Sequence, residues 1–132
     1  MTNTIRALTP QSIRPPFAAY AHGTEIPAGK RMVFTSGQLG IRSDDSIPAA
    51  CYEQAQICFE NILEILREGS MAPADVVHIS AYVTDRSYMK DYMRARDEFL
   101  AGIPRLPSST LLIVSGFTRE EFKVEVEVLA AK

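Results

Sequence analysis

The chemistry available to this chain concentrates at Thr35-Ser36-Gly37-Gln38, where the β-branched, apolar run that begins at Arg31 stops. A strand ending there sets a hydroxyl, an unshielded backbone amide and a carboxamide side by side, a set suited to hydrogen-bonding a small polar ligand. The same residues also describe an ordinary strand end with a glycine bulge. Cys51 and Cys58 stand seven positions apart on one predicted helix, about two turns from each other. They cannot easily bond together and lack a metal-ligand spacing. They read as small buried residues of a reducing compartment, and no metal site is expected.

A length of 132 residues suits one domain and one site per subunit. With 46% hydrophobic residues, 23% charged and a net charge of -2, the composition is that of an ordinary soluble globular chain. The 14 lysines and arginines are scattered and not interleaved with aromatics, so no nucleic-acid surface is expected. The stretch MTNTIRALTPQSIRPP lacks the apolar core of a signal peptide, and no window approaches a membrane span. Cytoplasmic location, with no membrane partner, is the expectation.

The elements that must position these groups follow from periodicity and turn chemistry. Residues 1–16, with Pro10, Pro15 and Pro16, are expected to be an extended lead-in to a single domain over 17–132. Strand-like runs over Phe17 to Ile26 and Arg31 to Leu39 flank Pro27-Ala28-Gly29-Lys30, which predicts a hairpin. Pro48 is placed to open a helix whose buried face carries Cys51, Ala55, Cys58, Phe59, Ile62, Leu63 and Leu66, with Gly69 as its stop. Ala74 to Asp85 predicts a strand with Val77, Ile79, Ala81 and Val83 on one face.

Asp85 can cap a second helix in which Met89, Tyr92, Arg96 and Phe99 share a stripe, Arg96 through its aliphatic stem. Pro104 and Pro107 break the chain before two closing strands, Ser109 to Val114 and Phe122 to Ala130. The order ββαβαββ predicts an α+β domain with both helices packed on one face of a sheet. In the last strand Val124, Val126 and Val128 point to the helices and Lys123, Glu125 and Glu127 away. That charged face either meets water or lines a contact between subunits.

Taken in order, Tyr20, Val33-Phe34-Thr35-Ser36-Gly37-Gln38, Asp75-Val76-Val77, Tyr82-Val83-Thr84-Asp85 and Val124-Glu125-Val126-Glu127 resemble the reactive intermediate deaminase family, RidA, also called YjgF or L-PSP endoribonuclease. The resemblance implies a chorismate-mutase-like α+β subunit with a mixed sheet, assembled as a homotrimer that holds its small-molecule ligands in clefts between neighbours. It implies no cofactor, and hydrolysis of imines or enamines such as 2-aminoacrylate to a carbonyl compound and ammonia. By position it makes Glu125 and Ser36 the catalytic residues, with Glu125 positioning or activating water. Ser36 and Gly37 contact the substrate's polar atoms, Gln38 adjoins them and Tyr20 walls the pocket.

This chain departs from the family pattern at three places. The family's Pro-x-Arg-Ser/Thr, whose arginine grips a carboxylate, is here Pro107-Ser108-Ser109-Thr110, with Ser109 at the arginine position or Ser108 after a one-residue shift. Losing a two-pronged, charge-assisted contact costs roughly a few kcal/mol. The expected substrate is therefore not 2-aminoacrylate but something larger or less acidic, bound through the hydroxyls of Ser108, Ser109 and Thr110. Met93 stands where an asparagine is common and makes the pocket less polar. His22, where a glutamine is common, either faces solvent or carries a proton in the cleft. Arg105 either reaches the cleft or is a solvated loop charge, and His78 has no assigned role. A metabolite-binding trimer without catalysis is the alternative; an endoribonuclease or translation inhibitor follows only from the family's older label.

Overall fold

The computed structural model describes residues 3–132, so Met1 and Thr2 of the expected lead-in lie outside the described residues. In chain order the strands and helices are β1 (Arg6–Leu8), β2 (Gly23–Glu25), β3 (Met32–Phe34), β4 (Gln38–Leu39), α1 (Cys51–Glu68), β5 (Val76–Val83), α2 (Met89–Phe99), β6 (Ser108–Ile113) and β7 (Val124–Ala131). The main sheet runs β3-β7-β5-β6, with β4 pairing the same strand β7 as β3 does. β5 and β6 are parallel and the other pairs antiparallel, so the sheet is mixed.

Alternation decides which side of this sheet is covered. Val124, Val126 and Val128 of β7 and Ile79, Ala81 and Val83 of β5 are buried against Cys58, Phe59, Ile62 and Leu66 of α1 and Tyr92 and Ala95 of α2. Both helices thus pack on one face, the expected α+β arrangement. The opposite face keeps Glu125, Glu127, Ser80 and Tyr82 only partly covered, together with exposed Met32, Phe34 and Leu112.

One local expectation is corrected. The predicted hairpin around Pro27 to Lys30 does not close: β2 pairs β1 in a separate two-stranded sheet, whereas β3 pairs β7. The lead-in therefore contributes a strand. The reason is competition for partners. Ala21 N–H donates to the Pro107 carbonyl at 2.9 Å and Thr24 Oγ1 to the Val77 carbonyl at 2.7 Å, which ties this segment to the β5–β6 side. Arg31 instead exchanges backbone bonds with Lys132 at the far edge. α1 does end before Gly69, but the left-handed residue is Ser70, with φ 57°. Ser70 N–H bonds the Arg67 carbonyl and Met71 N–H the Leu66 carbonyl, a Schellman closure built on serine.

One buried amide joins the loops that flank the sheet. Gln54 is fully buried on α1 and makes three bonds to backbone: Nε2 donates to Pro48 O at 2.8 Å and Glu121 O at 2.9 Å, and Oε1 accepts from Lys123 N at 2.8 Å. It fixes the entry to α1 and the entry to β7 together. Gln54→Leu strands three backbone groups and is expected to lower unfolding free energy by about 3 kcal/mol, measured by urea denaturation. An unchanged midpoint would show that water replaces the side chain without loss.

Candidate functional site

The strand end singled out by sequence is both a bulge and a polar site. Phe34 pairs Leu129 and Gln38 pairs Val126, so residues 35–37 face only 127 and 128 and one residue is extra. Thr35 pins the bulge from both sides: its N–H donates to Val128 O at 3.0 Å and its hydroxyl accepts from Val128 N at 3.0 Å. Gly37 then passes directly over Glu125, where a Cβ would stand 2.7 Å from the Glu125 carboxyl carbon and 2.9 Å from Oε1. A side chain here would have to push the Glu125 carboxyl group aside. Ser36 is left exposed beside it, and the Gln38 carboxamide folds back to donate to Ser36 O at 3.2 Å.

Glu125 titrates high for two reasons. Burial raises its pKa first, and the like charge of Glu127, two residues along the same face, raises it further. Glu127 in turn accepts a 2.6 Å hydrogen bond from the Tyr82 hydroxyl. The arrangement gives one carboxyl group held against a bare backbone and biased toward its protonated form. Both thiols are inert by contrast: burial pushes Cys51 up to about 11 and Cys58 higher still.

A second constellation lies at the β6 edge, on the helix side. Ser109 of β6, Tyr20 and Arg96 of α2 share a cavity of about 380 Å³ whose remaining walls are Phe17, Ala18, Met89, Met93 and Leu111. Tyr20 is carried there because Ala21 bridges Ser108. Its hydroxyl accepts from Phe17 N–H at 3.2 Å, which closes the loop over the cavity mouth. Arg96 is 3% exposed and its Nε donates to Asp97 Oδ1 at 3.0 Å. Nη2 lies at 3.0 Å from the same oxygen. The Tyr92 hydroxyl beside it is buried, with the Ser109 hydroxyl and the Arg96 guanidinium next to it.

The three expected hydroxyls do not converge. Ser108, Ser109 and Thr110 pair His78, Ile79 and Ser80, and strand alternation turns only Ser109 toward the helices. Ser108 faces the other way, where its hydroxyl lies 2.7 Å from His78 Nδ1 and donates to Val77 O at 3.1 Å; Thr110 is exposed. His22 is exposed, with its ring Nε2 at 2.6 Å from Arg14 O, and does not line the cavity. Arg105 does not line this cavity and is not a solvated charge: it donates to Ala74 O at 3.0 Å and Val76 O at 3.3 Å, clamping the start of β5.

Within one chain, then, the sequence-predicted residues form two groups. Ser36, Gly37, Gln38 and Glu125 gather where β4 meets β7, with Glu125 on the sheet face away from the helices. Tyr20, Met93 and Ser109 gather on the helix side at β6, beyond β5. Sequence reasoning missed Arg96 as a polar wall of this second group. The available signal was a charged residue on the apolar stripe of α2.

Because the Glu125 pKa is raised in the folded chain, its ionisation opposes folding. Stability from this group is complete below the ordinary glutamate value of 4.5 and is lost as pH rises through the folded value. Glu125→Gln removes that loss, so the variant is expected to melt above wild type near about pH 8, and the gap to close below 4.5. A gap independent of pH in thermal melts would refute the raised pKa.

The family model for endoribonuclease L-PSP matches residues 11–132. The chain is 23% identical over 111 residues to the RutC family protein YjgH of Escherichia coli, covering 83% of each. YyfB of Yersinia pestis, a Rid-family protein of unknown function, superposes with a TM-score of 0.87 at 23% identity, over 99% of this chain and 100% of that one. TdcF of E. coli, solved with bound serine, gives a TM-score of 0.72 at 25% identity, over 96% of this chain and 94% of that one.

Proposed function

Given that the chain belongs to the endoribonuclease L-PSP family, we propose that it hydrolyses a small imine or enamine to a carbonyl compound and ammonia, in clefts shared between subunits of a homotrimer. The observation that carries this reading is the Glu125 carboxyl group pressed against Gly37, with its pKa raised by burial and by Glu127. Such a group can donate a proton and accept one back.

The protonated Glu125 gives its proton to the enamine carbon or the imine nitrogen, which makes the C=N carbon electrophilic. The resulting carboxylate takes a proton from water as the water oxygen bonds to that carbon. Glu125 then passes that proton to nitrogen, the C–N bond breaks to release ammonia, and the hydroxyl proton returns to the Glu125 carboxylate as the carbonyl forms. Ser36 and the Gly37 amide are placed to hydrogen-bond the polar atoms of the intermediate. The serine bound by TdcF supports a small, amino-acid-like ligand.

The separation of the two residue groups supports the shared cleft. They sit on opposite sides of the sheet, so one chain cannot close both around a single molecule, whereas a neighbour's β6 edge laid over the bulge would do so. The exposed Met32, Phe34 and Leu112 on the uncovered face supply apolar area for such a contact.

Two measurements test this. Light scattering is expected to give three times the 14.6 kDa chain mass, and a monomer would remove the shared cleft. With freshly generated imines from a panel of amino acids, wild type is expected to accelerate ammonia release from at least one, and Glu125→Ala to reduce that rate about 100-fold. No acceleration with any imine, or full activity in Glu125→Ala, sinks the reading.

A further inference from the structure

We propose that Tyr82 is a positioning residue: its hydroxyl holds the negative charge of Glu127 beside Glu125, and so keeps the exchangeable proton of this carboxyl pair on Glu125. The use of that proton in catalysis rests on the proposed reaction; its placement does not.

Strand register brings the three side chains together. Tyr82 of β5 pairs Glu125 of β7 and Ser80 pairs Glu127, so Tyr82, Glu125 and Glu127 emerge side by side on the sheet face away from the helices. The Tyr82 hydroxyl reaches past its direct partner and donates diagonally to Glu127 Oε1 at 2.6 Å. A donor at that distance stabilises a carboxylate more than a neutral carboxyl group. Glu125 has no such hydrogen bond among the described residues, and its carboxyl group lies instead against Gly37. The pair is therefore asymmetric.

Two carboxyl groups on one strand face do not ionise independently, and the first proton goes to the one whose charge is less well stabilised. Here that is Glu125, which burial first and the Glu127 charge second push toward its protonated form. The bond to Glu127 is also the largest influence holding the proton on the Tyr82 phenol. The surrounding groups leave this bond in control. His78, farther along β5, feels the Glu127 charge, but burial outweighs it and favours the neutral ring, whose Nδ1 lies 2.7 Å from the Ser108 hydroxyl. Lys123, two residues before Glu125, sends its ammonium to the Ala49 carbonyl. The Cys58 thiol, on the helix side, is kept protonated by burial.

The test follows Glu125 across pH in the native oligomer, by NMR of glutamate labelled at the carboxyl carbon, with the resonance assigned by its loss in Glu125→Gln. Wild type is expected to titrate Glu125 in a single step. Tyr82→Phe is expected to split that step in two, the lower carrying at least about a quarter of the shift change, because the proton is then divided between the two groups. Glu127→Gln keeps an acceptor for the hydroxyl but no charge. It is expected to restore a single step that needs at least about threefold more protons than wild type, and adding Tyr82→Phe to it is expected to move nothing further. Tyr82→Leu takes its place where Tyr82→Phe fails to fold. An unsplit Glu125 step without the hydroxyl, a Glu127→Gln step identical to wild type, or further movement in the double variant each overturn the assignment. The expected titrations without hydrolysis of any imine would leave the proton placement standing and remove the proposed reaction. Imine hydrolysis together with an unsplit step in Tyr82→Phe would do the reverse.

Discussion

The alternation of β7 is the constraint on which the rest depends. Its valines are buried against α1 and α2, so Glu125 and Glu127 must emerge on the other face. The strand bonds β5 along one side and β3 and β4 along the other, which makes it the reference for every antiparallel register in the main sheet. A shift of one residue would expose three valines and drive two carboxylates into the core. The same packing that stabilises the fold therefore aims the carboxyl group.

The bulge at residues 35–37 depends on that register. Thr35 bonds both backbone groups of Val128, and the extra residue places Gly37 over Glu125. A regular strand would instead have continued the ladder and carried a side chain into that space. The fully bonded Gln54 holds Lys123 immediately before β7, so the approach of bulge and carboxylate is fixed from the helix layer as well. Glycine bulge and ligand-contacting amide, which look like competing descriptions of Ser36 and Gly37, are one structure seen from two sides.

Much of the fold was legible because it rests on local periodicity. The spacing of Cys51 to Leu66 gives α1, the alternation over Val76 to Val83 gives β5, and Val124 to Val128 gives β7, each within a residue or two. The hairpin at Pro27 to Lys30 was not legible as it stands, since its turn chemistry permits a hairpin but cannot show that β7 and β1 compete for its strands. Arg96 shows the same limit at the site. Its place on the apolar stripe of α2 was correctly seen, but a buried arginine is equally consistent with a stem that snorkels its charge to water. The absence of an arginine at Ser109 suggested a cavity without a guanidinium, whereas a neighbouring element supplies one.

The sequence by itself determined α1, α2, β5 and β7, the faces they bury, the family pattern and the candidacy of Ser36, Gly37 and Glu125, because side-chain direction repeats every two residues in a strand and every 3.6 in a helix. Tertiary structure alone decided which side-chain ends meet. It set Gly37 on Glu125, turned Ser109 away from Ser108 and Thr110, tied Arg105 to the start of β5, and left Arg96 buried on a cavity wall beside Asp97. The physical reason is that these outcomes depend on long-range register and on competition for hydrogen-bond partners, neither of which is written into any local stretch of chain.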